Sequence, residues 1–184
     1  MTKTQFDIFE YGMRQSSELV FSTYSGKFIC RLSYHFEEVR VIYKRLVNDK
    51  SSAIRYNAVT LTLDRPPEDI IRYILEKTYH DKSSKVRKKV ADVCLRLNFN
   101  QMLPLLEQQY NIEHDDEVRI GLHFSIELLK NGYLIETLSD EKMNLMFKSE
   151  AGISGRLFDK KYLDVYTIKD IINSCIEKKK FPWE

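Results

Sequence analysis

Three acidic residues stand six positions ahead of three arginines: Asp49 before Arg55, Asp81 before Arg87 and Glu113 before Arg119. Carboxylates and guanidiniums gathered in one place can perturb each other's protonation, hold a ligand or simply pair. The spacing chooses between these. Asp49 to Arg55, Asp81 to Arg87 and Glu113 to Arg119 are three copies of one pattern, each 32 residues from the next. An arrangement copied at a fixed period belongs to a repeated scaffold, not to a single active centre. We therefore read these six residues as a ladder of ion pairs and assign no catalytic residue.

A second group of charges does not repeat. Lys82, Lys85, Arg87, Lys88 and Lys89 form the densest charge in the chain. On a helix Lys85, Lys88, Lys89 and Asp92 share one face, at i, i+3, i+4 and i+7. The matching positions 32 residues earlier hold Ala53, Tyr56, Asn57 and Thr60; those 32 later hold Glu117, Ile120, Gly121 and Phe124. The face runs polar-aromatic, basic, then apolar. That mixture suits a protein partner with an acidic patch better than a phosphate backbone, which favours cations in every unit. The candidate partner-binding residues are Tyr56, Lys85, Lys88, Lys89, Asp92, Ile120 and Phe124, against the plain alternative of a solvated charged face. By the same register Ile120, Phe124 and Leu128 fall on exposed positions, covered either by the C-terminal segment or by a partner.

Other residue types offer less. His35, His80, His114 and His123 lack metal-ligand spacing. Gly152-Ile153-Ser154-Gly155-Arg156 is too short for a phosphate loop, and no strand is expected before it. Cys30, Cys94 and Cys175 are odd in number and widely spaced, which points to reduced thiols in a cytoplasmic protein. No metal and no cofactor is expected.

Helices must position these groups. Residues 4–24 read as a helix carrying Phe6, Phe9, Met13, Leu19, Val20 and Phe21, and residues 28–32 as the start of another. From residue 35 each unit holds two helices. The first unit uses Val39, Ile42, Tyr43, Leu46 and Val47, then Ile54, Ala58, Val59 and Leu61. The second uses Ile71, Ile74, Leu75 and Tyr79, then Val86, Val90, Ala91 and Val93. The third uses Leu103 and Leu106, then Val118, Leu122 and Ile126. Apolar identities vary while positions hold, as expected when each pair buries a face on its neighbours. Ser51-Ser52, Ser83-Ser84 and Asp115-Asp116 stand where second helices start, able to cap their N–H groups at about 1 kcal/mol each. Beyond Gly132, Ser139-Asp140-Glu141 reads as a helix start followed by Met143, Leu145, Met146 and Phe147, and residues 149–155 as a loop. Thr167 to Asp170 resembles a capping box opening a last helix, onto which Phe181 and Trp183 of the basic tail are expected to dock.

Two helices per unit, with an acid in the turn and arginine six residues later, resemble the HEAT repeat over residues 35–131. The resemblance implies an all-α, right-handed α-solenoid of about three helical hairpins. Residues 1–34 and 132–184 would be helical caps of a single domain spanning 1–184. It also implies that second helices line the concave side. Carried over by position, the rungs are Asp49 with Arg55, Asp81 with Arg87, and Glu113 with Arg119. Asp115 or Asp116 stands as an alternative to Glu113, which departs from the family's Asp. HEAT-like proteins mostly bind other proteins; some are DNA glycosylases or cofactor-attachment lyases.

Composition sets outer bounds. The chain has 184 residues, 43% hydrophobic and 30% charged, with 6 Gly and 4 Pro. This is globular and suits long helices. A formal net charge of +2 gives no general attraction to nucleic acid or membrane. The N-terminal residues lack a signal-peptide pattern, and no apolar run reaches membrane-spanning length. The expectation is a non-enzymatic, monomeric protein-interaction module of adaptor, inhibitor or immunity type. The alternative is a nucleic-acid-binding HEAT-like protein related to DNA repair.

Overall fold

Val39, Ile42, Tyr43, Leu46 and Val47 recur at three- and four-residue intervals, so one helical stripe holds them all. In the computed structural model, which describes residues 3–14, 24–149 and 152–184, they are the buried face of one helix. The described chain is mostly helical, with a small three-stranded sheet. It divides into two compact units, Met1–Ile126 and Glu127–Glu184.

The first unit opens with α1 (Lys3–Met13) and α2 (Tyr24–Leu32). The helix expected over 4–24 is thus helical to Met13, and Leu19, Val20 and Phe21 lie outside the described residues. The following pairs are α3 (Glu37–Val47) with α4 (Ser52–Leu61), α5 (Glu68–Thr78) with α6 (Ser84–Leu97), and α7 (Leu103–Ile112) with α8 (Asp116–Asn131). Helix α3 packs against α4 and α5, and α4 packs against α6. The core between them includes Ile42, Leu46, Val59, Ile74, Leu75, Val86, Val90 and Val93, each almost fully buried. Burying a side chain of this kind contributes roughly 1.5–3 kcal/mol. Helix α6 ends at Asn98, which takes a left-handed φ of 54° and donates its N–H to the carbonyls of Cys94 and Leu95. Asn tolerates this conformation better than most side chains do.

In the second unit the expected helix after Ser139 is a strand. Antiparallel β1 (Tyr133–Thr137), β2 (Lys142–Ser149) and β3 (Gly152–Asp159) pair in sequence order. The segment expected as a loop therefore supplies the first half of β3, and the all-α expectation is corrected to mostly helical. The reason lies in the pleat. Met143, Leu145 and Phe147 are buried and alternate with Asn144, Met146 and Lys148, a period of two residues. Met146 filled the gap between Leu145 and Phe147 and hid the alternation.

Helix α9 (Ile168–Glu177) starts at the expected capping box: Thr167 Oγ1 accepts from the Asp170 N–H, and the Asp170 carboxylate accepts from the Thr167 N–H. Ile171, Cys175 and Phe181 join the buried side of the sheet. Trp183 stacks flat on Tyr162, ring centres 3.8 Å apart.

Candidate functional site

The acid–arginine residues form pairs, but with a different connectivity from that carried over by position. Arg55 makes two hydrogen bonds to the carboxylate of Asp81, of 2.6 and 2.7 Å, and Arg87 makes two to Glu113 of the same lengths. Each arginine reaches the acid 26 residues ahead. Within its own unit it donates only to backbone: Arg55 to the carbonyls of Asp49 and Lys50, Arg87 to that of Asp81. Asp49 is met by Arg14, which the period of 32 could not reveal. Among the described residues Arg119 has only Asp116 as an ion-pair partner, at 3.7 Å, and both are exposed.

These acids also start helices. Asp49 and Asp81 each accept from the N–H two residues on, at Ser51 and Ser83. Ser51 and Ser83 themselves make no side-chain cap, so the expected serine caps are replaced by these Asx turns. Glu113, one methylene longer, accepts from the N–H groups of His114 and Asp115, and Asp115 caps Val118. Buried Gln109 donates to Glu113 and bonds His80, extending the pair into a network. Two donations from Arg87 hold Glu113 down at about 2 against its ordinary 4.5, and burial opposes them. Burial alone would raise Asp81; Arg55 and the Ser83 N–H outweigh it and leave the carboxyl below its usual range.

The second constellation converges. Tyr56, Lys85, Lys88, Lys89 and Asp92 line one open groove of about 700 Å³ between α4 and α6, with Ser52, Ala53, Asn57, Ser83 and Arg96. The helical face predicts this for the α6 residues, since 85, 88, 89 and 92 share it. Arg96, one turn beyond Asp92, continues it and went unnoticed. Asp92 accepts from Lys89 at 2.9 Å and from Arg96 at 2.7 Å. Its partial burial pushes the carboxyl up, but these two cations prevail and hold it down. Lys89 also lies over the Tyr56 ring, 5.9 Å from its centre. Lys85 is exposed and has no ion pair among the described residues. Lys88 is exposed and pairs with Glu117 of α8 at 2.9 Å; such an exposed pair contributes little and exchanges readily.

Ile120 and Phe124 do not line this groove. They sit beside it on α8, Ile120 68% exposed and Phe124 half-buried. Leu128, expected on the exposed register, is fully buried at 0%. Cys30 and Cys94 are buried thiols that burial pushes up to about 11 and about 12, far from a reactive thiolate. Among the described residues no three His, Cys, Asp or Glu side chains converge as metal ligands would. No helix among them is long and apolar enough to cross a membrane.

Fold and site together define a mostly helical protein with a basic groove, lined also by Tyr56, between the second helices of two consecutive pairs. No protein-family model, no curated protein and no solved structure matches the chain.

Proposed function

We propose that this chain is a protein-interaction module: a short, right-handed HEAT-like α-solenoid whose concave groove takes an acidic surface of another protein. The observation that carries the reading is the groove itself. Four cations, Lys85, Lys88, Lys89 and Arg96, surround one carboxylate, Asp92, beside the Tyr56 ring. Two of the cations are already bridged by Asp92, which leaves Lys85, and Lys88 in exchange for its exposed pair with Glu117, to meet carboxylates of a partner. The pairing of helices at a 32-residue spacing, with inter-unit arginine–acid bonds, supports the solenoid. We infer a monomer acting in the cytoplasm by occupying a partner's surface, without a cofactor or a reaction of its own.

The groove favours protein over nucleic acid because its cations come from α6 alone. The equivalent positions of α4 and α8 hold Ala53, Tyr56 and Asn57, then Glu117, Ile120 and Gly121. A phosphate backbone would be tracked across several helices. The test is affinity capture with quantitative mass spectrometry, comparing the wild type with Lys85→Glu/Lys88→Glu/Lys89→Glu, beside a salt titration against duplex DNA. Acidic proteins lost from the variant are expected. Nanomolar DNA binding with a steep salt slope would replace this reading with the nucleic-acid one.

A further inference from the structure

The basic row on α6 and the apolar row on α8 are neighbours. A Cβ built on Gly121 would stand 3.7 Å from the Lys88 side chain, so the lysine stem crosses α8 at that glycine. Its ammonium goes on to Glu117. Glu117, Ile120, Gly121 and Phe124 fall at i, i+3, i+4 and i+7, hence on one face of α8. Ile120 is largely exposed there, one step from the glycine that Lys88 overlies.

We propose that the groove reads a two-part motif on one segment of its partner: a pair of carboxylates for Lys85 and Lys88, and an apolar side chain seated on Ile120 and Phe124. This rests on the protein-binding reading above and specifies its ligand. Lys88 reaches both Gly121 and Glu117 of α8, which brings the acidic pair and the apolar anchor within reach of one amphipathic segment lying across α6 and α8. Charge complementarity fixes the acidic half. The apolar half follows from the position of Ile120, exposed on the same face that presents the lysines.

Glu117 then acquires a role. It is an internal carboxylate already on Lys88, standing where a carboxylate of the partner would stand. Binding must displace it. Because the pair is exposed, removing the competing carboxylate leaves the fold intact while freeing Lys88, and an acidic ligand binds more tightly by roughly two- to five-fold. A surface lysine with no part in binding would show no such gain.

The experiment is selection of a random 12-residue peptide display library on the full chain, with counter-selection on Lys85→Glu/Lys88→Glu. The strongest peptides are then titrated against wild type, Ile120→Gln and Glu117→Gln. The expected result is enrichment of two acids with one Leu, Ile, Phe or Met nearby, at least roughly ten-fold weaker binding to Ile120→Gln, and tighter binding to Glu117→Gln. Enriched peptides that are acidic but carry no apolar preference, and bind Ile120→Gln equally, overturn the two-part motif while leaving the acidic groove in place. A library in which no wild-type binder survives the counter-selection on Lys85→Glu/Lys88→Glu overturns both. Circular dichroism of each variant controls for folding, and all four substituted residues are exposed.

Discussion

Arg55 and Asp81 form a two-pronged ion pair between consecutive helix pairs, with side chains only 7% and 6% exposed. The guanidinium is shared with the carbonyls of Asp49 and Lys50, and the carboxylate with the Ser83 N–H. One interaction thus fastens the α3–α4 turn, the α5–α6 turn and the start of α6. Breaking such a pair leaves a buried charge without a partner, which costs about 3–5 kcal/mol.

Arg55→Ala and Asp81→Ala are each expected to lose several kcal/mol of unfolding free energy. The double variant should lose much less than the sum, because neither charge is then stranded. A denaturation double-mutant cycle measures this. A coupling below about 0.5 kcal/mol would show that the two groups act independently and would remove the ladder's structural role.

The Arg87–Glu113 rung predicts a pH dependence. Glu113 is held near 2 in the folded protein against an ordinary 4.5, and its side chain is 2% exposed. A lowered carboxyl contributes stability that is complete above the unfolded pKa and is lost as pH falls through the folded one. The contribution is about 3 kcal/mol on the scale of 1.36 kcal/mol per pKa unit. Between about pH 4.5 and 2 the wild type should therefore lose stability faster than Glu113→Gln. Parallel acid limbs for the two proteins in chemical denaturation would contradict the assignment.

Much of this was legible in the residues. Apolar positions at a 3.6-residue period gave α3 to α6 closely, and the columns 56, 85, 88, 89 and 92 gave the groove. The ladder's connectivity was not legible. Spacing within one unit cannot tell an arginine that reaches its own turn's carbonyl from one that reaches the next unit's carboxylate. Arg14 was hidden because it lies outside the period. The sheet was missed because Met146 fills a strand's outward position with an apolar residue, so alternation reads as a continuous run. Leu128 stands on an exposed register position yet is buried in the chain, because register carries over only the face a residue occupies, while its surroundings differ from one unit to another.

Gly121 offers a prediction of the opposite sign. Glycine inside a helix costs roughly 0.5–1 kcal/mol relative to alanine. The added Cβ would meet Lys88 at 3.7 Å, an ordinary contact. Gly121→Ala should therefore stabilise the first unit by about that amount, raising the melting temperature by a few degrees. A lower melting temperature would mean that the helix needs the close approach which glycine allows.

The second unit depends on its last residues. Ile171, Cys175 and Phe181 are part of the core under the sheet, and Trp183 packs beside them against Tyr162 and Phe158. Removing residues 165–184 deletes α9 and its capping box and uncovers Met143, Leu145, Phe147 and Phe158. A three-stranded sheet without a covered apolar face is not independently stable, so the truncated chain should aggregate or lose cooperative melting of this unit. Trp183 is the single tryptophan in the chain, so its emission reports locally on the same core. Ile171→Ala, a milder change at a fully buried position, should cost about 2–5 kcal/mol and move the fluorescence transition to lower denaturant. A truncated chain that remains monomeric and melts cooperatively through its sheet would show that α9 and the aromatic stack are not what holds this unit together.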